Sequence, residues 1–545
     1  MNLKKYFLPV GITIFYFFFH LINLTGLPIF ADESIYIRWA QLIIDEPSRY
    51  LFFALNDGKT PLFIWSQLPF LLLLPDPLWA TRFLAVLVGF VQIFTLGFIA
   101  QELGGNKRTQ SLSMFLGAIL PFWFFHHRMA LMDGMLVLFL SLCWWALLKA
   151  RTRLQKLDLS DKISVSLFLT VLKTPVIFWL TLAGVFFGLA LWTKLPALVY
   201  APSLLLLAFL PKSGVEFRLS KYSRHIFFQL VFFGGSLAFG VALFGLLKLN
   251  PAFGQLFSRG GDFLYPITDI AGGRWLETLP NSINYLNYLL KYLTWPIVIL
   301  TIGGLFSGTK KPLYHYLLWS SLLFFIPIAV LGKVVYPRYF LPMILPLTLS
   351  AAFALSELVH VAVELPRKME FKLIGSFLVM TIAGAIVNQS TLFMIPSLTQ
   401  PNAIPFVSAD RTQYLTEWSS GHGIVQSVAL IKEMAQTDSV AVATEGYFGT
   451  LPDAINNYLH TADVSNIYVE GIGQPVRSIP TSFKDRAQEF DRVWLLVNSH
   501  RMEIKLDQNL LIKRYCRPYN GPCLQVWDIT SLVKLAPTPT HLITP

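Results

Sequence analysis

Charged residues are scarce in this 545-residue chain: Asp, Glu, Lys and Arg make up 14% of it, whereas a soluble domain carries about a quarter. Hydrophobic residues make up 54%, so the chain is not an ordinary soluble protein and reads as a polytopic α-helical membrane protein. The formal net charge is +12, but the basic residues fall in short clusters between apolar runs, as the positive-inside rule predicts. We therefore interpret them as topology signals and expect no nucleic-acid partner.

About eleven apolar runs approach the length of roughly 20 residues that a helix needs to cross the hydrocarbon layer. They lie near 7–27, 79–100, 110–127, 129–149, 174–192, 195–211, 226–248, 287–307, 313–331, 338–357 and 373–391. Lys4 and Lys5 precede the first run, and the later basic clusters agree with a cytoplasmic N-terminus (N-in). An odd number of spans then places the C-terminus outside (C-out). The first run lacks a good small-residue cleavage site, so we expect it to be retained as an anchor.

After residue 391 the composition changes, because charged and polar residues return between short β-rich segments. The patterns predict a helix at 424–436 and strands at 439–444, 492–497 and 523–527. We therefore predict a membrane domain over 1–391 and an extracytoplasmic soluble α/β domain over 392–545. Cys516 and Cys523 flank a turn-forming segment of this second domain, where they form either a hairpin disulfide or two free thiols.

The outward-facing loop between the first two spans, 28–78, carries an acidic pair, Asp32 and Glu33. Apolar residues follow at helical spacing and predict an amphipathic helix along the membrane interface: Ile35, Trp39, Leu42 and Ile43. Because the helix macrodipole favours carboxylates at an N-terminus, Asp32 either caps this helix or serves an active site. Adjacent helical residues point about 100° apart, so only one member of the pair can face a cavity.

Cations stand at the outer ends of several predicted spans, where anchoring requires fewer of them. They are Lys59, Arg82, Arg128, Lys194 and Arg338. Each alone is also explained by a side chain that snorkels to the interface. Together with the acidic pair, they favour a site that binds an anion and contains a carboxylate base. A lipid-linked phosphate is such an anion, because its tail can lie between spans while its headgroup reaches the interface.

Several of these segments resemble motifs of known enzymes. The run Asp32-Glu33-Ser-Ile-Tyr36, followed by Lys59-Thr-Pro-Leu62, resembles the first-loop signature of glycosyltransferase family 39 and of the lipid A aminoarabinose transferases, which are members of the GT-C superfamily. The segment 127–139, which contains Arg128 and Asp133, is similar to a motif of protein O-mannosyltransferases. Two further segments resemble parts of these enzymes, 192–194 and 337–342. The ordered set covers residues 1–390 and implies a GT-C fold.

The resemblance implies an inverting glycosyltransferase in the plasma (bacterial inner) membrane. Such an enzyme moves a sugar from a polyprenyl-phosphate-linked donor to an acceptor hydroxyl of a protein, lipid or glycan at the extracytoplasmic face of the bilayer. It implies Asp32 as the general base, with Glu33 as the next candidate. Contacts to the donor phosphate and substrate are expected from Tyr36, Lys59, Arg82, Arg128, Asp133, Lys194, Arg338 and Tyr339. No cofactor is expected, and a metal-free reaction is favoured over one in which Asp32, Glu33 and Asp133 hold a divalent ion.

Two other functions fit a polytopic membrane protein: a ligase that transfers a whole glycan from lipid to polymer, and a transporter. A transporter should show an internal repeat and helices broken at matched positions, and the sequence shows neither. Two segments of the C-terminal domain, 418–423 and 444–453, combine glycines with aromatic residues. They form either loops in which aromatic rings stack on sugars or simple turns.

Overall fold

The structure is a computed structural model that describes residues 7–156, 171, 173–211, 219–308, 310–364, 369–460 and 465–534. The chain divides into two compact units. The first unit comprises Met1–Leu24, Leu51–Ser66 and Arg82–Val407. The second comprises Thr25–Tyr50, Gln67–Thr81 and Ser408–Pro545. This division differs from the predicted domains 1–391 and 392–545, because two parts of the predicted loop 28–78 join the C-terminal unit.

Helices dominate the chain up to residue 399. In order they are α1 (Phe7–Leu21), α2 (Ala31–Asp45), α3 (Leu62–Leu73), α4 (Pro77–Glu102), α5 (Lys107–Ile119), α6 (Pro121–His126), α7 (Met132–Leu154), α8 (Val176–Thr193), α9 (Ala197–Leu205), α10 (Leu219–Gly245), α11 (Trp275–Leu293), α12 (Trp295–Gly304), α13 (Lys311–Leu331), α14 (Leu341–Val359) and α15 (Met369–Thr399). Short helical turns connect several of them, among them Pro337–Phe340 directly before α14.

Seven helices of the described chain are long and apolar enough to cross a membrane: α4, α7, α8, α10, α13, α14 and α15. The pair α11 and α12 makes an eighth if it is one span, with a bend of 99°. The bend falls at Thr294, which has φ 72°, and Pro296 follows with no backbone N–H to continue the first helix. Three remaining predicted spans coincide with shorter or interrupted helices: 7–27, 110–127 and 195–211. The chain is a polytopic membrane protein, while the total of about eleven spans and the N-in/C-out orientation stay predictions.

In the first unit, α8 packs between α7 and α10. Glycines allow the close approach of α8 to α10, because a Cβ atom at Gly240 would lie 2.6 Å from the carbonyl oxygen of Gly184. Small residues at such crossings are typical of membrane helix pairs. Helix α14 contacts α5, α12 and α13, and almost all of its side chains are buried. These contacts fix the N-terminal end of α7, the C-terminal end of α8 and the start of α14, where several predicted site residues lie.

The second unit is built on a five-stranded sheet with the order β2-β1-β3-β5-β4. The strands are β1 (Val440–Thr444), β2 (Ile467–Gly471), β3 (Arg492–Asn498), β4 (Leu511–Cys516) and β5 (Cys523–Asp528). Strands β1, β2 and β3 are parallel, and β5 runs antiparallel to both β3 and β4. The three predicted strands are confirmed as β1, β3 and β5. Cys516 and Cys523 lie opposite each other on β4 and β5 and form a disulfide, so the alternative of two free thiols is wrong.

Helices cover both faces of this sheet. They are α16 (Ile424–Met434), α17 (Ile455–Leu459), α18 (Thr481–Ala487) and α19 (Thr530–Lys534). On one face, α16 and α17 pack together with Ile37 of α2, and on the other face α18 and α19 pack. Of the apolar residues predicted to face the membrane, Ile35, Trp39 and Ile43 are buried in protein, while the position of α2 relative to the membrane interface stays a prediction. Ile37 packs in the same cluster as the sheet, because an apolar helix face is stable only when it is covered by another apolar element.

Candidate active site

An ion pair between a buried carboxylate and a half-buried lysine joins the ends of two packed helices in the first unit. Asp133 lies in the first turn of α7, where the helix macrodipole favours a negative charge. Lys194 follows the last residue of α8, where the macrodipole favours a positive charge. The Lys194 Nζ atom lies 2.7 Å from Asp133 Oδ1. The pair is held at a defined place because α7 and α8 pack along each other.

Two further predicted residues surround Lys194. Its Nζ atom lies 4.6 Å from the centroid of the Tyr339 ring. The Arg338 guanidinium lies 5.2 Å from the same centroid and 4.9 Å from that of Tyr336. Arg338 is 5% exposed, and aromatic faces stabilise a cation that is removed from water. The structure therefore brings Asp133, Lys194, Arg338 and Tyr339 together, with two cations and one carboxylate.

A histidine that the sequence did not single out as a site residue lies beside these cations. His126 ends α6, is 3% exposed and is within electrostatic reach of Arg338 and Lys194. Neither of its ring nitrogens has a hydrogen-bond partner among the described residues. Buried polar groups normally have a partner, so His126 has donor and acceptor capacity to offer a ligand or a water molecule. The only signal in the sequence was its position two residues before Arg128.

The predicted site residues Arg82 and Arg128 bind the end of α1. Arg128 donates four hydrogen bonds, to the carbonyl oxygens of Phe19, His20, Ile22 and Asn23 at 2.8, 3.2, 2.9 and 3.0 Å. Arg82 donates to the carbonyl oxygen of Leu24 at 2.9 Å. The last carbonyl groups of a helix lack partners within it, so these cations stabilise the C-terminal end of α1. Their predicted contact with a donor phosphate stays a prediction.

Lys59 belongs to a different group of charges in the first unit. Its Nζ atom lies 2.8 Å from Asp57 Oδ2, and Asp57 also pairs with Arg259. Gly58, between the two, has φ 71°, a conformation that glycine adopts without strain. Arg259 also pairs with Asp262, so two cations and two carboxylates balance in this group. The phosphate role predicted for Lys59 stays a prediction.

The acidic pair lies at the start of α2, in the second unit. Glu33 is fully buried, and its Oε2 atom accepts a hydrogen bond from the backbone N–H of Phe30 at 3.0 Å. This is the bond by which an acidic residue at the third helical position satisfies a free amide at a helix start. Asp32 is less buried than Glu33. Tyr36 is 5% exposed, and its ring lies 6.3 Å from that of Trp39. Glu33 therefore makes a capping bond at the start of α2 in this structure.

The same carboxylates are the candidate ligands for a divalent metal ion. Among the residues that the structure describes, no three or more His, Cys, Asp or Glu side chains are grouped so that they could hold an ion. Asp133 is bound to Lys194 and Glu33 to the amide of Phe30. Since Mg²⁺ is often held by only one or two carboxylates together with substrate phosphates, the metal-free reaction stays a prediction.

Comparisons with known proteins agree with this architecture. Residues 54–239 match the family model of dolichyl-phosphate-mannose-protein mannosyltransferases, a segment that includes Lys59, Arg82, Arg128, Asp133 and Lys194. No curated protein matches the chain significantly in sequence.

Three solved structures are similar in fold. ArnT from Cupriavidus metallidurans bound to undecaprenyl phosphate matches with a TM-score of 0.56 and 14% identity, over 95% of this chain and 97% of that chain. The archaeal oligosaccharyltransferase AglB from Archaeoglobus fulgidus, in complex with an inhibitory peptide and a dolichol-phosphate, matches with a TM-score of 0.50 and 12% identity. The match covers 91% of this chain and 70% of that chain. The Archaeoglobus fulgidus oligosaccharyltransferase tethered to an acceptor peptide matches with a TM-score of 0.52 and 13% identity, over 91% of this chain and 69% of that chain. The resemblance predicted from the motifs is thereby confirmed: the chain has the GT-C fold and is similar to the protein mannosyltransferases and to ArnT.

Proposed function

We propose that this protein transfers a sugar from a polyprenyl-phosphate-linked donor to an acceptor hydroxyl, with inversion at the anomeric carbon. The observation that carries the proposal is the cluster of Lys194, Arg338, Tyr339 and Asp133 in a GT-C fold. Two proteins of similar fold were solved with undecaprenyl phosphate and with dolichol-phosphate. A cluster of two cations and one carboxylate suits a lipid-linked phosphate, because the hydrocarbon layer contains few other anions.

In the proposed reaction the cations act on the leaving group. As the bond between the anomeric carbon and the phosphate oxygen breaks, its electron pair stays with the lipid phosphate, whose negative charge grows. Lys194 and Arg338 stabilise that charge in a site of low dielectric constant, where fixed charges are more effective than in water. The Asp133 carboxylate and the Tyr339 ring hold the Lys194 ammonium in place before the donor binds. Less reorganisation is then needed when the charge develops.

Asp32 is proposed as the general base. Its carboxylate takes the proton of the acceptor hydroxyl while the hydroxyl oxygen forms the new bond to the anomeric carbon. Glu33 is the poorer candidate, because its carboxylate is buried and bonded to the Phe30 amide. One displacement without a covalent intermediate inverts the configuration. We propose that the lysine and arginine do the electrostatic work that a divalent ion does elsewhere, so transfer should persist in EDTA.

The orientation in the membrane is proposed from the C-terminal unit. Its disulfide between Cys516 and Cys523 supports an oxidising compartment, such as the outer side of a bacterial inner membrane. An epitope tag after Pro545 should therefore be reached by a membrane-impermeant reagent in intact cells. A tag that is protected until the membrane is permeabilised would reverse the proposed orientation.

The test of function uses the full-length protein in proteoliposomes. A polyprenyl-phosphate donor with a radiolabelled sugar is incubated with cell-envelope acceptor fractions of protein, glycolipid and polymer. We expect label in one acceptor fraction, together with free polyprenyl phosphate. Label that crosses the bilayer still attached to its lipid would instead indicate a transporter. A whole glycan delivered to polymer, with no transfer from a single-sugar donor, would indicate the ligase.

A further inference from the structure

The sheet of the second unit has a topological switch point. Chain connections run from β1 to β2 on one side and then cross to β3 on the other side of β1. The covering helices follow, since α17 packs on one face and α18 on the opposite face. In open α/β sheets a crevice forms where the carboxyl ends of two such strands part, and ligands bind there. In this unit that place is the carboxyl end of β1 and β3, and the name crevice denotes this edge of the sheet.

A buried polar network occupies the base of this crevice. Glu445 directly follows β1, is 2% exposed and accepts two hydrogen bonds from Asn498, the last residue of β3, both at 2.7 Å. Arg517 donates to Asn498 Oδ1 at 2.6 Å and to the carbonyl oxygen of Ser420 at 2.8 Å. Burial lowers the pKa of Arg517 to about 10, which still leaves it charged at neutral pH. The network is a rigid support, because each member is fixed by another.

The rim of the crevice combines aromatic rings with charges that balance. The Arg501 guanidinium lies 4.1 Å from the centroid of the Trp418 ring and 3.5 Å from Glu445 Oε1. His500 lies 3.7 Å from Glu417. Burial lowers the pKa of His500, which leaves the ring neutral at pH 7 and able both to donate and to accept a hydrogen bond. A rim without strong net charge suits an uncharged polar ligand.

A short loop after Glu445 presents two aromatic side chains to solvent. Tyr447 is 71% exposed and Phe448 is 59% exposed. The loop turns at Gly446 and Gly449, which have φ 72° and 104°, and glycine alone adopts these values readily. Exposing the apolar surface of two neighbouring aromatic rings to water is unfavourable in free energy. Exposed apolar patches on a protein often mark a binding surface.

The same loop disfavours a phosphate ligand. In many α/β sheets the amides that follow the first strand bind phosphate. Here the amide of Gly449 already donates to Asp453 Oδ2 at 2.7 Å. The protein's own carboxylate therefore fills the position that an anion would take. A sugar fits better, because its C–H face packs on an aromatic ring while its hydroxyls bond to arginine, glutamate and histidine.

The crevice adjoins the start of α2. The segment 418–423 contributes Trp418 to the rim, and the next residue, Ser419, accepts a hydrogen bond from the amide of Ala31 at 2.9 Å. Ser420 forms an isolated antiparallel bridge with Phe30, and its carbonyl oxygen is the one bound by Arg517. A ligand at this edge would therefore lie near the segment that carries Asp32.

We propose that the carboxyl edge of β1 and β3 is a saccharide-binding site, with Tyr447, Phe448 and Trp418 as the stacking surfaces and Arg501, His500 and Glu417 as hydroxyl contacts. The site holds the saccharide of a glycan or glycolipid acceptor beside the start of α2. Its role for the acceptor rests on the proposed function. The binding of a saccharide does not, because it needs no donor lipid.

The test begins with binding. Full-length protein in nanodiscs is applied to a printed array of hexose, hexosamine and pentose oligosaccharides, with empty nanodiscs as the baseline. We expect a subset of glycans to retain the protein, and the strongest is titrated by calorimetry. A Tyr447→Ala/Phe448→Ala double variant and a Trp418→Ala variant should each bind about tenfold more weakly. Leu532→Ala, which removes a 45% exposed apolar side chain near the opposite edge of the sheet, should bind like the wild type.

Several outcomes would overturn the proposal. One is an array on which no glycan exceeds the empty-nanodisc signal. Another is a double variant that binds as tightly as the wild type, or a Leu532→Ala variant that loses as much affinity. Tyr447 and Phe448 are exposed, so their double variant should melt at the wild-type temperature, which separates loss of binding from loss of fold. With a glycan acceptor, this variant should raise KM and leave kcat unchanged. An inactive protein that still binds glycans would refute the proposed function and leave the saccharide site standing.

Discussion

The two units place their charged side chains by different rules. In the helical unit, charges stand at helix ends: Asp133 at the start of α7 pairs with Lys194 after α8, and Arg128 binds the carbonyls of α1. In the sheet unit, charges gather where parallel strands end, and Glu445, Asn498 and Arg517 bond to one another. The difference teaches that a cluster with more cations than carboxylates suits a charged phosphate, while a balanced network suits an uncharged polar ligand. Each prediction below removes one charge or bond that this contrast depends on.

The largest effect is expected from Asp32→Asn. If Asp32 is the base, the acceptor hydroxyl loses its proton acceptor, and the transfer rate should fall about a thousandfold. The rate is measured in proteoliposomes with a labelled polyprenyl-phosphate sugar. Asp45→Asn is the matched control on the same helix, where the carboxylate pairs with His460 at 2.9 Å. Wild-type turnover in the Asp32 variant would remove this residue as the base.

The pH dependence of stability tests a buried carboxyl of the sheet unit. Burial raises the pKa of Asp453 from 3.8 to about 7, although nearby Arg38 opposes the rise. The unfolded carboxyl ionises first, so this group lowers stability as the pH rises from about 4 to about 7, and the loss then levels off. Asp453→Asn should abolish that contribution, and its stability advantage should grow across this range to at most about 4 kcal/mol.

Thermal unfolding between pH 4 and pH 8 measures that difference. Asp485→Asn is the control, because Asp485 is exposed on α18 and should show no growing advantage. An advantage for Asp453→Asn that is constant with pH would mean that Asp453 ionises normally in the folded protein.

The next effect concerns the cations of the helical unit. Arg338→Ala should weaken polyprenyl-phosphate binding and lower turnover, together by about a hundredfold, since a charge is lost where negative charge develops. The affinity is measured from polyprenyl-phosphate binding in detergent, and the turnover from sugar transfer in proteoliposomes. The control is Lys149→Ala, which removes a cation from α7 that is paired with Glu102. If affinity and turnover both stay at wild-type values, Arg338 does not contact the phosphate.

The smallest effect is expected from the disulfide. Replacing Cys516 and Cys523 by serine removes the link across the β4–β5 hairpin and should lower the stability of the sheet unit by about 2 kcal/mol. Denaturant unfolding followed by hydrogen exchange of the β4 and β5 amides reports this. Wild-type protein treated with reductant should lose the same amount. A wild type that is insensitive to reductant would show that the bond does not form in the purified protein.

Most of the fold could be predicted from local patterns. Apolar runs marked the long helices, and the predicted strands are the buried β1, β3 and β5. The sequence patterns did not predict the edge strands β2 and β4, because edge strands are only half-buried. Strand β4 also carries Lys513 and Arg514, and charged residues are common on edge strands. The position of α2 could not be read from its amphipathic pattern. That pattern fits a membrane interface and a sheet equally well, and its partners lie far along the chain.

The candidate site was predictable only as a set of residues. The motifs named Asp133, Lys194, Arg338 and Tyr339 together, and the structure brings them together. The motifs could not show that Arg128 donates its hydrogen bonds to carbonyl groups that lie over a hundred positions earlier in the chain. Nor could they reveal His126, since a histidine at a span end looks like ordinary packing until its unpartnered nitrogens are seen.

The membership of α2 in the second unit sets an order for biosynthesis. About 360 residues separate the end of this helix from Ser408, where the remainder of its unit begins. At a synthesis rate of about 5–20 residues per second, roughly 20 to 70 s pass between the synthesis of α2 and the start of synthesis of the remainder of its unit. Until then its isoleucines lack their final neighbours, and a chaperone or the lipid surface must shield them. A ribosome stalled before the last strand would leave a nascent chain in which the helical unit is complete, while Asp32, the proposed base, still lacks the rest of its unit.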